Sequence, residues 1–488
     1  MMAKTLGFAF ALAVPLFLTR RLSQADFGLY KQLFLILNSA VVILPLGFHM
    51  SAFYFLPREP QHRNRIVFNI LLFNLVTGSL GCLAFIAFPG LPGRLFHSAA
   101  VAAFSPYLGV MILFWVVSSF LEWVAVANLE THVSTLLIVG AQFSKTALLL
   151  GAAVLFTTVQ ALVYAAIFQG VLQTGILFIY LQSRFRGFWR GFQWGFLREQ
   201  LSYALPFGLS AVIQVFQNDF HNYVVGNRFS ADMFAVYSIG CFQLPLIGML
   251  TESVGSVMIP RISTLQKTGD YREILRLMAS AMRKLALVFF PIYFFLLATG
   301  PAFITFLFTE RYRQSWPVFA VNLTMLPLYA IILDPLTRAY AGQRHYLLRL
   351  YAGLFVLQAL CILPAIRQFG LVGAISVVIG ANVLGRVIIA RKMAAVLHVT
   401  SKDLRLFQDL GKILIAAAIA GASAWCLGYL LSQWKPFFIL FYTGIVFCAV
   451  YGASVWLLRI PAAEELELIG RQFRRLGGRG QQIAVTDT

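Results

Sequence analysis

The chain has 488 residues, of which 60% are hydrophobic and only 11% charged, with a net charge of +20 and a mean hydropathy of +0.80. Ordinary soluble domains carry about a quarter charged residues, so this composition excludes a soluble globular protein and describes an integral membrane protein. The excess Lys and Arg then reads as a topology signal against anionic headgroups, not as a surface for nucleic acid.

A spanning helix needs about 20 mostly apolar residues. About fourteen segments qualify, at 3–19, 31–56, 66–88, 105–127, 134–156, 160–182, 203–225, 235–259, 285–308, 317–341, 346–366, 370–391, 411–431 and 437–458. The first follows Lys4 and ends at Arg20 with no small-residue cleavage site, so it reads as a retained span and not a signal peptide. The second is long enough to include an interfacial turn. The five cysteines (Cys82, Cys241, Cys361, Cys426 and Cys448) all lie in apolar segments, without ligand spacing or a disulfide pattern. No metal site and no cofactor is expected.

Lys and Arg concentrate in alternate loops, including Arg58, Arg63 and Arg65, then Arg184, Arg186 and Arg198, then Arg261, Lys267, Arg272, Arg276, Arg283 and Lys284. The positive-inside rule places these loops, and both termini, in the cytoplasm. The longest such loops, near 183–202 and 260–284, are too short for a catalytic domain. The first, RFRGFWRGFQWGFLREQ, is basic and aromatic and suits the headgroup layer. The second has Asp270 three residues before Glu273, a variant capping box ahead of the apolar face Ile274, Leu277, Met278 and Ala281, and reads as a short in-plane helix. The tail from Pro461 places Leu466, Ile469, Phe473 and Leu476 at helical spacing among arginines, and reads as either membrane-surface helix or disorder.

One ten-residue phrase occurs twice. RLSQADFGLY (21–30) and RFSADMFAVY (228–237) share Arg21/Arg228, Ser23/Ser230, Phe27/Phe234 and Tyr30/Tyr237. LPR at 56–58 matches IPR at 259–261, and ALVYA at 161–165 matches GLVGA at 370–374, with nearly the same offset. Six spans separate the copies, an even number, so the repeat is parallel, about an axis along the membrane normal. The expected fold is an all-α membrane protein of two pseudo-symmetric six-helix lobes plus two C-terminal helices. Its divisions are an N-lobe at 1–200, a C-lobe at 201–400, two further spans at 401–460 and a cytoplasmic tail at 461–488.

The phrase RLSQADFGLY resembles the R-L-L-S-P-E-E-F-G-x-Y turn of bacterial polysaccharide flippases, of the multidrug/oligosaccharidyl-lipid/polysaccharide exporter superfamily. LSYALPFGLSAVIQVFQNDFHNYVVGNRFSADMFAVYSIG (201–240), PRIS (260–263), FLFTERYRQSWPVF (306–319) and FGLVGAISVVIGANVLGRV (369–387) extend the resemblance over most of the chain. Relatives often carry a longer leader before the first span. The resemblance implies a flippase for an undecaprenyl-diphosphate-linked oligosaccharide in the bacterial inner membrane, serving O-antigen or exopolysaccharide synthesis. It also implies contact with membrane lipids and with glycan polymerase and assembly proteins, and no nucleic acid partner. A multidrug or small-solute antiporter of the same superfamily is the alternative. A glycan polymerase or ligase is disfavoured by the lack of a large outer loop, and ATP hydrolysis by the lack of a G-x-x-x-x-G-K-[ST] motif.

A diphosphate-sugar headgroup needs a polar, partly cationic cavity, so charges inside the spans are the candidates. Each costs about 2.5–3.5 kcal/mol at a helix centre on insertion scales and therefore seeks a cavity or a partner. Lys145 reads as a substrate contact or as the partner of Glu122, although hairpin geometry sets those two about 10 Å apart in depth. Gln214, Gln217, Asn218 and His221 share one face of the seventh span, with Asp219 and Asn222 beside it, and line either a cavity or a helix–helix seam. His221 and Asp219 are also candidates to carry a coupling proton. Asp334 and Arg338, one turn apart, read as an ion pair or as cavity groups, and Glu252 reads similarly. Arg20, Arg21, Lys31 and Arg386 fit snorkelling toward headgroups.

Overall fold

The computed structural model describes residues 2–189, 192–340, 344–458 and 460; the tail from Pro461, read as surface helix or disorder, lies outside them. In chain order the α-helices are α1 (Met2–Arg21), α2 (Gln24–Ile43), α3 (Ser51–Arg58), α4 (Arg63–Ala87), α5 (Gly90–Phe96), α6 (Ala99–Ala103), α7 (Ser105–Ser118), α8 (Leu121–Ala127), α9 (Thr131–Leu155) and α10 (Val159–Arg184). They continue as α11 (Trp194–Arg228), α12 (Ala231–Gly240), α13 (Pro245–Thr268), α14 (Tyr271–Phe308), α15 (Trp316–Leu323), α16 (Met325–Ala330), α17 (Asp334–Ala339), α18 (Arg344–Val396), α19 (Gln408–Leu430) and α20 (Pro436–Leu457). No strand occurs among the described residues.

Nine helices in the described residues are long and apolar enough to cross a membrane, or ten if the bent pair α12–α13 is one span. The other expected spans correspond to α1, to α11 with its polar stripe, to the interrupted α15–α17, and to a second half of α18. α18 turns at Gly370, where φ is +58° and ψ −136°, a backbone conformation that L side chains rarely adopt.

Local chemistry sets several helix starts. Ser23 caps α2, its Oγ accepting from the Asp26 amide at 3.1 Å, and Thr158 Oγ1 caps α10 through the Ala161 amide at 3.3 Å. The Asp270 cap forms as expected, with the Glu273 amide donating to Asp270 Oδ1 at 3.1 Å. The short in-plane helix beyond it does not stand alone. α14 runs unbroken for 38 residues, carrying Ile274 and Met278 into buried positions. Only Pro291 and Pro301 interrupt its hydrogen-bond ladder, both well past the expected end. Before α19, the Thr400 hydroxyl and amide donate to Asp403 Oδ2 at 2.6 and 2.8 Å.

Two compact units form. The first comprises the described residues within 1–245, 307–322 and 348–382, and the second those within 246–306, 323–347 and 383–488. In the first, α3, α4, α8 and α10 share a core around Phe48, Phe55, Ile70, Phe120, Leu177 and Phe185. In the second, α19 and α20 pair around Ala420, Ala424 and Phe447, and α14 lays Phe294 and Phe295 against them.

The repeated phrase has the same structural job in both copies. Ser23 and Ser230 stand at the N-caps of α2 and α12 with nearly the same backbone, φ −66° and ψ 162° against φ −65° and ψ 164°. Phe27, Tyr30, Phe234 and Tyr237 are buried. Moreover, the two copies pack on each other: a Cβ added at Gly28 lies 1.8 Å from the Ala231 carbonyl oxygen. Beside them, Gln24 Nε2 donates to the Arg311 carbonyl at 2.8 Å and Ser315 Oγ to the Val236 carbonyl at 2.7 Å. Gly28→Val therefore separates α2 from α12. Overpacking at such a contact costs about 1–3 kcal/mol, and thermal unfolding of the purified variant in detergent should show a clearly lowered midpoint; an unchanged midpoint contradicts the packing described.

Candidate functional site

α11 is a 35-residue helix with Pro206 inside it. Its polar stripe divides. Gln214 and Asn218 are exposed, and Gln217 and Asp219 are half-buried. Asn222 Nδ2 donates to Asp219 Oδ1 at a long 3.4 Å. His221 is buried, with Nδ1 2.7 Å from the Tyr237 hydroxyl of α12. The next turns bind α2: Tyr223 donates to Ser39 Oγ at 2.8 Å, and Gln32 Nε2 reaches the Gly226 carbonyl at 3.5 Å. Both readings of the stripe thus hold for different residues. His221 is part of a seam, whereas Gln214 and Asn218 present free amides on a common edge.

Lys145 lies on α9, half-buried. Its Nζ sits 4.9 Å from the centroid of the Trp115 ring on α7, and Trp115 is held by Nε1 donating to the Ala166 carbonyl at 2.9 Å. No carboxylate pairs with Lys145 among the described residues, and Glu122, half-buried on α8, has no hydrogen-bond or ionic partner there either. The cation–π contact contributes about 0.5–2 kcal/mol, less than the ~2.5–3.5 kcal/mol insertion cost of a lysine at a helix centre. Lys145 therefore keeps capacity for an anion.

Asp334 begins α17 and is exposed, its carbonyl accepting from Thr337 Oγ1 at 2.9 Å. The side chain of Arg338 lies outside the described residues, so its expected pairing is not visible. Glu252 is exposed on α13. Arg386 departs from the expected snorkelling: its Nη1 donates to the Ile331 carbonyl at 2.9 Å, and its guanidinium lies 5.5 Å from the Tyr329 ring centroid. It serves the break between α16 and α17, where a carbonyl has lost its helical partner.

Arg21 lies 5.5 Å from the Phe17 ring and Lys31 the same distance from Phe27, each covering an aromatic on its own helix. A cavity of about 480 Å³ opens between α3 and α11, lined by Tyr54, Arg198, Glu199, Ser202 and Tyr203. Arg58 stacks over Tyr54 at 3.8 Å, and Tyr54 over Tyr203 at 4.5 Å. Sequence reasoning passed over these tyrosines because nothing local distinguishes them from other aromatic residues. Among the described residues no cluster of His, Cys, Asp and Glu is arranged to hold a metal.

Comparison with known proteins places this arrangement. The chain covers 94% of its length and 99% of the structure titled lipid II flippase MurJ in an inward closed conformation, with a TM-score of 0.71 at 14% identity. An inward-facing multidrug resistance MATE family transporter of the MOP superfamily is matched over 82% of this chain and 96% of that one, with a TM-score of 0.61 at 15% identity. A MOP superfamily transporter from Pyrococcus furiosus gives a TM-score of 0.54 at 14% identity, over 82% of this chain and 95% of that one. A search of curated proteins gives no significant match. The protein is thus a multi-pass membrane protein with the all-α fold shared by those structures. Residues 17–317 match the model of the family described as "Polysaccharide biosynthesis protein", and the chain belongs to that family.

The His221–Tyr237 bond is the best-defined polar contact of the α11 stripe. Tyr237→Phe leaves the buried imidazole without its partner, an expected loss of about 1–3 kcal/mol. The thermal midpoint should fall by more than in Tyr164→Phe, where Gln160 and Tyr164 pair at an exposed site; equal shifts contradict a buried, stabilising bond.

Proposed function

We propose that this protein flips an undecaprenyl-diphosphate-linked oligosaccharide from the inner to the outer leaflet of the bacterial inner membrane. The product would serve O-antigen or exopolysaccharide synthesis. The observation that carries the reading is the family match over residues 17–317, joined to a fold shared with a lipid II flippase along nearly the whole chain.

In this reading both termini are cytoplasmic, and the lobes at 1–200 and 201–400 open the path alternately to the two membrane faces. Lys145 meets the diphosphate, because it is a cation in a span and pairs with no carboxylate among the described residues. Gln214 and Asn218 contribute amide donors and acceptors suited to sugar hydroxyls. Arg338 is a second cationic contact. Asp219, Glu252, Asp334 and Glu122 are the carboxylates proposed for ion coupling, and His221 is held in the seam against Tyr237. The lipid chain stays in the bilayer throughout. Glycan polymerase and assembly proteins are the expected partners on the outer side.

The test is complementation in a bacterium lacking its own O-antigen flippase, with surface glycan as the readout. The wild type should restore the glycan, and Lys145→Ala, expressed to the same level, should reduce it at least tenfold. Full restoration by Lys145→Ala retires that lysine while keeping the flippase reading. If the wild type restores nothing and instead confers drug resistance, the antiporter reading replaces it.

A further inference from the structure

At the arginine-rich end of the first unit, the start of α4 and the end of α10 enclose a cavity of about 360 Å³ that plays no part in the proposed translocation. Arg63, Arg65 and Arg184 line it, together with Gln61, Asn64 and Phe185. The positive-inside rule accounts for arginines at this end, but it does not account for how these are held.

Each guanidinium is tethered by part of its donor set. Arg63 Nη2 donates to Asn128 Oδ1, and its guanidinium lies 5.3 Å from the Phe185 ring centroid. Arg184 Nε bonds Glu130 Oε1 at 2.9 Å. Asn128 ties the two together, donating from Nδ2 to the same Glu130 oxygen at 3.1 Å and to the Tyr180 hydroxyl at 3.3 Å. Arg65 Nη1 donates to Gln193 Oε1 at 3.1 Å, and Asn64 Nδ2 fixes the backbone at Arg186 at 2.8 Å. Of the three guanidinium groups only Arg184 pairs with a carboxylate among the described residues, leaving a net positive charge with N–H donors to spare. A guanidinium fork matches the paired oxygens of a phosphate.

The depth is that of a headgroup. α10 ends at Arg184 and α4 begins at Arg63, so the cavity lies where two spanning helices leave the hydrocarbon. The chain that follows exposes Trp189, Phe192 and Trp194, the residue types that settle at a membrane–water interface. We infer that this cavity binds the phosphate of an anionic membrane phospholipid, with Arg63, Arg65 and Arg184 as the recognising groups.

The experiment is binding of dioleoylphosphatidylglycerol to the purified full chain in detergent, followed by native mass spectrometry. Dioleoylphosphatidylcholine and inorganic phosphate serve as parallel probes. The wild type should retain phosphatidylglycerol over phosphatidylcholine, and Arg65→Gln, whose only tether here is a neutral glutamine, should weaken that retention at least tenfold. Arg65→Gln with Arg184→Gln should abolish it. The control is Arg261→Gln with Lys267→Gln, which removes the same charge from exposed positions on α13 and should leave retention unchanged. Loss in the control equal to that in the cavity variants overturns the site in favour of nonspecific charge attraction, as does retention by the cavity double variant. If millimolar inorganic phosphate displaces the lipid from the wild type but has nothing to displace in the double variant, the site stands and recognises phosphate from either source. Size-exclusion profiles matching the wild type establish that the variants are folded.

Discussion

In hydrocarbon a backbone amide or carbonyl finds no water, and this constraint governs the whole chain. It explains why every described element is helical, and it makes each interruption of a span informative. Of the interruptions within the described spans, three are informative together, and two of these three have a side chain assigned to the loosened backbone. Asn322 Nδ2 donates to the carbonyls of Gly240 and Phe242 at the break between α12 and α13, at 3.3 and 3.2 Å. Arg386 does the same for Ile331 between α16 and α17. At the third, between α2 and α3, Leu46 and Gly47 both take positive φ. There the Leu46 carbonyl lies so close to Gly208 of α11 that a Cβ at that glycine comes within 1.9 Å. The broken segment and the Pro206 region of α11 therefore meet backbone to backbone.

Close approach is the second theme, since lipid supplies no hydrophobic force between helices and packing must replace it. Gly28 lets α2 lie against the Ala231 turn, and this contact joins the two copies of the repeated phrase. A phrase written twice then has a physical meaning beyond ancestry. Each copy begins a helix with an extended serine, buries a phenylalanine and a tyrosine, and offers a small residue to its counterpart.

Polar residues within the spans follow two different economies. His221, Tyr223 and Gln32 spend their hydrogen bonds on neighbouring helices and act as seam. Lys145 has an aromatic face but no counter-charge among the described residues, and Gln214 and Asn218 remain exposed. A chain that moves a charged, sugar-bearing headgroup needs groups of the second kind, which is why these three are the proposed headgroup contacts. The arginines near α4 and α10 form a third class, outside the hydrocarbon and organised through Asn128 and Glu130.

Membrane residence, the all-helical fold and the repeated phrase were legible from the sequence, because hydropathy and helical period are properties of short stretches; of the fourteen expected spans, nine or ten are long and apolar enough to cross a membrane among the described residues. The cap at Asp270 was legible too, since capping depends on residues three apart. The candidate site was legible only by residue type. That Lys145 would face Trp115 and not Glu122, that His221 would meet Tyr237, and that Arg386 would serve a broken helix instead of a headgroup all depend on residues distant in the chain. The short in-plane helix expected after Asp270 became the first turns of α14, because a capping box specifies where a helix starts and nothing about where it stops. Sequence determines which groups must be satisfied; only tertiary packing decides by whom, since the partner of a buried polar group is chosen by which helices come within hydrogen-bonding distance.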